Sequence, residues 1–218
     1  MNLEVNVDNI VLYHGSERIV QRPEKSKGKA YNDFGKGFYC TKDEDVAKEW
    51  ACFDGLDGYV NKYAIDLDGL KIFDISKEKN RALVFLALMF SNRRVRMSSA
   101  KQKTAKDYLV EKYTPNISEY DIVVGARGDD SYFALSRAFL DGEISLGQLD
   151  SMLFSDKASE QIVLVSDKAF RAIRFLDVTV AEGNEYYYKR KERDKSLRDR
   201  VLAYKEKAPE YISEIIVR

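Results

Sequence analysis

The stretch "NIVLYHG" at residues 9–15 is a short apolar run that a glycine closes. Such a run predicts a β-strand that leads into a turn, and it is the first of several similar runs along the chain. It also carries His14, which is the only histidine among the 218 residues. A lone histidine is more often a hydrogen-bonded structural residue than a functional one, so the role of His14 depends on two stretches further along the chain.

Strands and helices are both predicted outward from this first strand. The predicted strands are short apolar runs bounded by polar residues or glycine, and they lie at 9–15, 37–41, 120–130, 160–166 and 173–181, the third of which leaves through a glycine-rich turn. The predicted helices have apolar residues at helical spacing, and they lie at 42–55, 81–95, 103–114, 131–142 and 145–154. Asp130 and Gly142 are the expected caps of the fourth helix. Residues 60–75 alternate in polarity and predict a strand pair that turns near Asp68-Gly69. The pattern indicates an α+β protein.

The overall composition is that of a folded protein without a strong net charge. Hydrophobic residues make up 44% of the chain, and 36 Lys and Arg balance 36 Asp and Glu. No global electrostatic field therefore favours nucleic acid or a membrane surface. The longest apolar run, at 82–90, is too short to span a bilayer, and the N-terminus lacks the basic region of a signal peptide. We expect a cytoplasmic protein that does not associate with a membrane.

The two cysteines, Cys40 and Cys52, do not form a metal or disulfide pattern. They lack Cys-x-x-Cys spacing, and no histidine lies near them in the sequence. This excludes the common zinc motifs, and a pair of thiols in a chain of this length is typical of a reducing compartment. We expect no metal site.

The last part of the chain has a different composition from the rest. Residues 189–207 contain nine Lys or Arg and four Asp or Glu, with few apolar positions between them. We therefore expect one domain over residues 1–182 and a charged, helical C-terminal appendage over residues 183–218. A run of this kind is more often a solvated helical face than a nucleic-acid site.

Three short segments carry the residues of chemical interest. They read "LYHGS" at 12–16, "DFGKGFYCT" at 33–41 and "SEQIVL" at 159–164. Each has a plain structural explanation by itself. Gly35 and Gly37 fit a turn that needs positive φ, and Gly35-Lys36-Gly37 lacks the other residues of a phosphate-binding loop. Their order along the chain is more informative than any one of them.

In this order the segments resemble the ADP-ribosyltransferase superfamily, in its His-Tyr-Glu branch of diphtheria-toxin-like enzymes and poly(ADP-ribose) polymerases. That branch has a His-Gly pair at the end of its first strand, a Gly-x-Gly-x-Tyr element, a second aromatic residue eleven positions later, and a glutamate that begins a buried strand. The matching residues here are His14, Gly15, Ser16, Tyr39, Trp50 and Glu160. The chain is also similar to a bacterial family first described as of unknown function, which shares these motifs and the run "DIVVGARGDD" at 121–130. The resemblance covers roughly residues 10–180.

The resemblance implies a fold, an activity and a set of partners. The fold would be an ADP-ribosyltransferase-like split β-sheet core with flanking helices. The activity would be the transfer of ADP-ribose from the co-substrate NAD to a protein or nucleic-acid acceptor, with release of nicotinamide. The protein would be a bacterial toxin or a toxin–antitoxin component, with an antitoxin or inhibitor protein as a further partner. Glu160 would be catalytic, and His14, Gly15, Ser16, Tyr39 and Trp50 would bind NAD.

Physical chemistry is compatible with these implied roles. Breaking the nicotinamide–ribose bond develops positive charge on the sugar, as in glycoside cleavage, and a fixed carboxylate stabilises that charge. Aromatic rings can hold the cationic nicotinamide ring between them, which implies that Tyr39 and Trp50 are the two walls. The resemblance assigns His14 to hold a ribose, so that it positions the substrate and does not transfer a proton.

One departure from the family pattern, at Ala47, and one uncertainty of alignment, at Glu160, leave alternatives open. A shift of one residue in the third segment would place Gln161 in the catalytic position. Ala47 occupies the place where polymerase-type members often have a serine that contacts the nicotinamide amide, and residues 158–161 lack the Glu-x-Glu of arginine-modifying relatives. One alternative is therefore a catalytically silent NAD-binding or partner-binding module on the same fold. Another is a nucleic-acid modifier guided by the basic tail, for which we expect strongly salt-dependent binding.

Overall fold

A computed structural model describes residues 9–127, 130–154 and 160–217. The strands are β1 Asn9–Ser16, β2 Phe38–Cys40, β3 Gly58–Asp66, β4 Ile72–Asp74, β5 Ile122–Ala126, β6 Glu160–Leu164 and β7 Ile173–Ala181. The α-helices are α1 Glu44–Ala51, α2 Arg81–Asn92, α3 Ala100–Tyr113, α4 Asp130–Asp141, α5 Leu146–Phe154, α6 Asp167–Ala172, α7 Gly183–Ala203 and α8 Ile212–Ile216. Short 3₁₀ turns lie at Lys25–Lys27 and Ile75–Lys77. The predicted α+β class is confirmed.

The strands form two sheets that meet at one point. One sheet has the order β1-β3-β7 and is antiparallel, and the other has the order β2-β6-β5-β4, in which β4 and β5 run parallel. Tyr13 in β1 and Thr41 just after β2 exchange two backbone hydrogen bonds, at 2.8 and 2.9 Å. β1 therefore runs beside β2, and the residues at the ends of these two strands come close together.

The predicted strand pair over residues 60–75 is wrong in its pairing. The region does contain two strands and a turn at Gly69, which has φ +63°. However, β3 pairs with β1 and β7, whereas β4 pairs in parallel with β5 in the other sheet. The alternation of polar and apolar residues predicts a strand but not its partner, and burial of Phe73 in the core around α2 decides the partner here.

Helix α2 is the centre of the larger core. Its residues 82–90 are all buried, which explains why the helix is apolar on every side. Side chains that alternate along the four-stranded sheet are divided between two cores. Val123 and Val163 face the core around α2, whereas Ile122 and Ile162 join Leu12 of β1 in a second core.

The charged C-terminal segment is helical over α7 and α8. Leu197 and Val201 of α7 and Ile212 and Ile215 of α8 are buried against the core around α2. A domain boundary at residue 182 stays a prediction. Gly142 follows α4 with φ +77°, as expected for its C-cap, whereas the predicted cap side chain of Asp130 lies outside the described residues. Within the described ranges, no helix has both the length and the apolar character needed to cross a bilayer.

Candidate functional site

The imidazole of His14 is fixed by the backbone of β2. Its Nδ1 lies 2.7 Å from the carbonyl oxygen of Tyr39, and its ring centroid lies 4.4 Å from that of Phe38. A carbonyl oxygen can only accept, so Nδ1 carries the proton and Nε2 is the acceptor nitrogen of the neutral ring. Burial lowers the pKa of His14 more than the bond to Tyr39 raises it. Near neutral pH, His14 is therefore an uncharged residue that offers an acceptor.

Gly15 allows β1 to pack directly against the backbone of α1. A Cβ atom at this position would lie 1.9 Å from the carbonyl oxygen of Ala47 and 2.7 Å from the amide nitrogen of Ala51. No side chain fits there, so the glycine has a structural reason that is independent of any ligand. The N–H and C=O of Gly15 lie on the same edge of β1 as those of Tyr13, because backbone groups alternate with a period of two, and that edge faces β2.

Asn61 of β3 organises the segment after His14, and the sequence reasoning missed it. Its side chain is fully buried, and its amide donates to the His14 carbonyl at 3.2 Å and to the Ser16 hydroxyl at 3.3 Å. Its oxygen accepts from the Val20 N–H at 2.7 Å. Ser16 in turn donates to the carbonyl of Arg18 at 2.5 Å. An asparagine within a strand is unusual and could have served as the signal.

The hydroxyl of Tyr39 closes the turn that precedes β2. It donates to the Gly35 carbonyl at 2.7 Å and accepts from the Phe34 N–H at 3.0 Å, and Gly35 has φ +77°. The ring of Tyr39 lies nearly parallel to that of Phe34, with the centroids 6.5 Å apart. Burial raises the pKa of Tyr39, so the hydroxyl stays protonated. Its role as a wall of a nicotinamide site stays a prediction.

Trp50 lies on α1 beside a buried group of charges. The guanidinium of Arg127 lies 5.7 Å from the Trp50 ring, and Arg127 is only 5% exposed. Glu49, which is also buried, lies 3.9 Å from Arg127 and accepts two hydrogen bonds from Arg193 of α7, at 2.9 and 3.1 Å. Burial raises the pKa of Glu49, and the two arginines oppose that shift. The C-terminal helix is thus tied to the helix that carries Trp50.

Glu160 begins β6 and lines a cavity of about 620 Å³. Its side chain is 35% exposed, and Oε1 lies 3.4 Å from Nζ of Lys42, which follows β2. The other charged or aromatic residues of the lining are Asp43, Asp74, Arg81 and Phe154. These residues come from the ends of β2, β4, β6 and α5 and from the start of α2. The cavity is therefore a product of the tertiary fold.

Gln161, the other residue considered for the catalytic position, faces away from this cavity. It is 3% exposed, and its amide donates to the Ala126 carbonyl at 2.8 Å and to Asp33 at 3.1 Å. Asp33 is also buried and forms an ion pair with Arg93 at 2.6 Å. Successive side chains of a strand point to opposite faces of the sheet, so only Glu160 of the pair reaches the cavity.

The predicted site residues thus fall into three neighbouring places. His14 and Tyr39 are in direct contact. Gly15 packs against α1, and Trp50 lies on that same helix, with its ring near Arg127. Glu160 lines the cavity, and the lining formed by the described residues includes none of the five predicted to bind NAD. Within the described part of the chain, no group of three or more His, Cys, Asp or Glu residues could hold a metal ion.

The fold and the site define an α+β protein with a carboxylate in a cavity at the edge of the four-stranded sheet. The chain belongs to the family described as "Protein of unknown function (DUF3990)", which matches residues 10–175. No curated protein and no solved structure matched the chain. The family description assigns no activity.

Proposed function

We propose that this protein is an NAD-dependent ADP-ribosyltransferase. The observation that carries the proposal is the position of Glu160. Its carboxylate lines a cavity next to β2, the strand whose Tyr39 carbonyl accepts a hydrogen bond from the His14 ring. Tyr39 of β2 contacts His14, and Lys42, which follows β2, contacts Glu160. The two residues are three positions apart, so the chain between them spans at most about 10 Å. A substrate the length of a nicotinamide riboside with its diphosphate can reach both places.

The arrangement of strands gives further support. The His-Gly pair, the tyrosine and the glutamate lie on β1, β2 and β6, which are neighbours at the junction of the two sheets. A split-sheet core of the ADP-ribosyltransferase type would place its motifs in this way. The proposed fold type is therefore this split sheet, with NAD bound across the junction.

Each residue has a chemical task in the proposed reaction. His14 accepts a hydrogen bond from a ribose hydroxyl through Nε2, because Nδ1 is committed to Tyr39. The N–H and C=O of Gly15 can pair with the carboxamide of nicotinamide, and the ring of Trp50 can lie against its face. The bond between the ribose carbon and the pyridinium nitrogen breaks, and its electron pair leaves with nicotinamide. Glu160 stabilises the positive charge that develops on the sugar.

Glu160→Gln tests the proposal. The amide keeps the size and the hydrogen bonding of the side chain but removes its charge, so we expect NAD cleavage to fall at least about a hundredfold, which corresponds to about 2.7 kcal/mol of transition-state stabilisation. Release of labelled nicotinamide measures the rate, and calorimetric titration with NAD measures binding, which should persist. The matched control is Glu119→Gln, since the side chain of Glu119 is 77% exposed and lies outside the cavity. An active Glu160→Gln variant would show that the wrong carboxylate was assigned.

A silent NAD-binding or partner-binding module remains the second candidate. Two contacts favour it, because Lys42 already pairs with Glu160 and the guanidinium of Arg127 lies near the ring of Trp50. This candidate predicts that the wild-type protein binds NAD without releasing nicotinamide in any mixture of acceptors. A role as a toxin with an inhibitor partner belongs to the same proposal and depends on the same assay.

A further inference from the structure

The cavity at Glu160 is separate from the residues assigned to NAD and has its own chemical character. We propose that it binds the acceptor, and that the acceptor is a basic side chain, arginine or lysine, of a protein. This inference rests on the proposed function, since it gives that reaction its substrate class. Four observations support it, and they concern the position, the charge, the apolar wall and the existing ion pair of the cavity.

The position of Glu160 suits a residue that contacts two substrates. Tyr39 and His14 lie on one side along β2, and Lys42 and Asp43 lie at the cavity on the other side. Glu160, the predicted catalytic residue, lines the cavity, whereas the described lining includes none of the five residues predicted to bind NAD. A sugar held from the His14 side would therefore present its reacting carbon to whatever occupies the cavity.

The cavity carries an excess of negative charge. Of the residues that the structure describes, three carboxylates line it, those of Asp43, Asp74 and Glu160, against two cations. Each cation already has a carboxylate partner. Lys42 pairs with Glu160, and Arg81 donates two hydrogen bonds to Asp150, at 2.6 and 2.7 Å. Asp74 also has a cation partner, Lys77, at 3.2 Å, so that with these two neighbours included four carboxylates face three cations. Such a lining attracts a cationic side chain and repels the phosphates of a nucleic acid.

Apolar groups form the rest of the lining. Val124, Leu153 and Phe154 line the cavity, and Arg81 lies over the ring of Phe154 at 4.7 Å from its centroid. Arginine and lysine combine an apolar stem with a charged end, so a wall of this kind matches the stem while the carboxylates match the end.

The pair between Lys42 and Glu160 shows that the carboxylate can hold a nitrogen cation. The ammonium of Lys42 lies 3.4 Å from Oε1, and the lysine side chain is 60% exposed. Exposed ion pairs contribute little stability, so an incoming cation can replace Lys42 at small cost. The acceptor nitrogen would then lie beside the carboxylate that faces the sugar.

The transfer step balances with these groups. The acceptor nitrogen loses one proton to the carboxylate of Glu160, which passes it to water, and the freed lone pair forms a bond to the ribose carbon. The bond from that carbon to nicotinamide breaks, and its electron pair leaves with nicotinamide. The products are the modified side chain, neutral nicotinamide and one proton.

Asp74→Asn is the variant that tests the acceptor site. Asp74 caps the following turn through the Ser76 N–H at 3.0 Å, and asparagine can make the same cap, so the variant should fold. Removal of one charge from the lining should raise the KM for a basic peptide about tenfold, which is about 1.4 kcal/mol of binding. We expect kcat at saturating peptide to change far less. Glu119→Gln removes an exposed carboxylate elsewhere and should change neither constant.

The acceptor panel consists of an arginine peptide, a lysine peptide, a citrulline peptide of matched sequence, and single- and double-stranded DNA, each with labelled NAD. Label on the arginine or lysine peptide alone, with the KM effect of Asp74→Asn, supports the inference. Label on citrulline or DNA, or an Asp74→Asn variant that matches Glu119→Gln, overturns it while the proposed function stands. Absence of nicotinamide release by the wild type in every arm overturns both.

Discussion

At the level of single residues, the site depends on side chains that are held by backbone atoms. The Tyr39 carbonyl fixes the tautomer of His14, and the buried amide of Asn61 fixes the carbonyl of His14 and the hydroxyl of Ser16. Backbone atoms of a sheet move little, so these contacts give the imidazole one orientation. Orientation of this kind lowers the entropic cost of binding a substrate in a reactive pose.

His14 should make the stability of the protein depend on pH. Its folded pKa is lowered from 6.5, so the unfolded chain binds the proton more readily. The contribution of His14 to stability is complete above pH 6.5 and is lost as the pH falls toward the folded pKa, with a slope of at most about 1.4 kcal/mol per pH unit. Denaturant unfolding at pH 7.5 and 5.5 should show a larger loss for the wild type than for His14→Gln.

The chain offers an independent check on this prediction. His14 is the only histidine, so a single imidazole signal in an NMR titration reports its pKa directly. A titration midpoint at or above 6.5 would contradict the lowered pKa, and parallel unfolding curves for the two proteins would show that burial of the ring has no energetic consequence.

At the level of secondary structure elements, the contact between α1 and α7 joins the predicted site to the C-terminal segment. Glu49 of α1 is buried and lies between Arg193 of α7 and Arg127, which follows β5. Burial of a charge is costly unless the charge is paired, so these two arginines offset the free-energy cost of burying the Glu49 carboxylate. The position of Trp50, one residue further along α1, depends on the same contact.

Arg193→Ala should destabilise the protein by about 2 kcal/mol, because it leaves the buried carboxylate of Glu49 with one arginine in place of two. Chemical denaturation measures this change. Lys189→Ala on the same helix is the control, since its pair with Glu185 is exposed on both sides, and we expect no measurable effect. Equal stability of the two variants would show that the Glu49 contact does not hold α7.

At the level of the whole molecule, two sheets and the cores packed on them are joined at a narrow junction. The sheets share the bridge between Tyr13 and Thr41, and α7 and α8 complete the core around α2. Leu153 of the core around α2 and Val124, which packs against the core that contains Leu12, both line the cavity with Glu160. A substitution that alters the packing of either core is expected to alter the shape of the cavity as well.

Removal of residues 183–218 tests whether the C-terminal segment is a separate unit. Four buried aliphatic side chains, Leu197, Val201, Ile212 and Ile215, would be lost from the core around α2. Each contributes about 1.5–3 kcal/mol by burial, so the melting temperature should fall by at least about 10 °C. Differential scanning calorimetry measures it, with Tyr188→Ser as a control at a side chain that is 61% exposed. An unchanged melting temperature would show an independent appendage.

Local patterns predicted most elements but not their partners. The strand at 173–181 and the helical segment that follows it were visible as runs of residues, because period and composition are properties of neighbouring positions. The pairing of β3 and β4 was predicted incorrectly, and Asn61 was missed. The pairing of the strands and the contacts of Asn61 both involve residues that are distant in the chain. Local periodicity carries no information about such contacts.

The sequence by itself determined the α+β class, the order of His14, Tyr39 and Glu160, and the charged character of the C-terminal segment. Only the tertiary structure decided that Glu160 faces a cavity while Gln161 faces the core, and that α7 is tied to the helix of Trp50. The physical reason is that a side chain's type is encoded at its own position. The face it occupies, its solvent exposure and its charged neighbours are set by how distant segments pack around it.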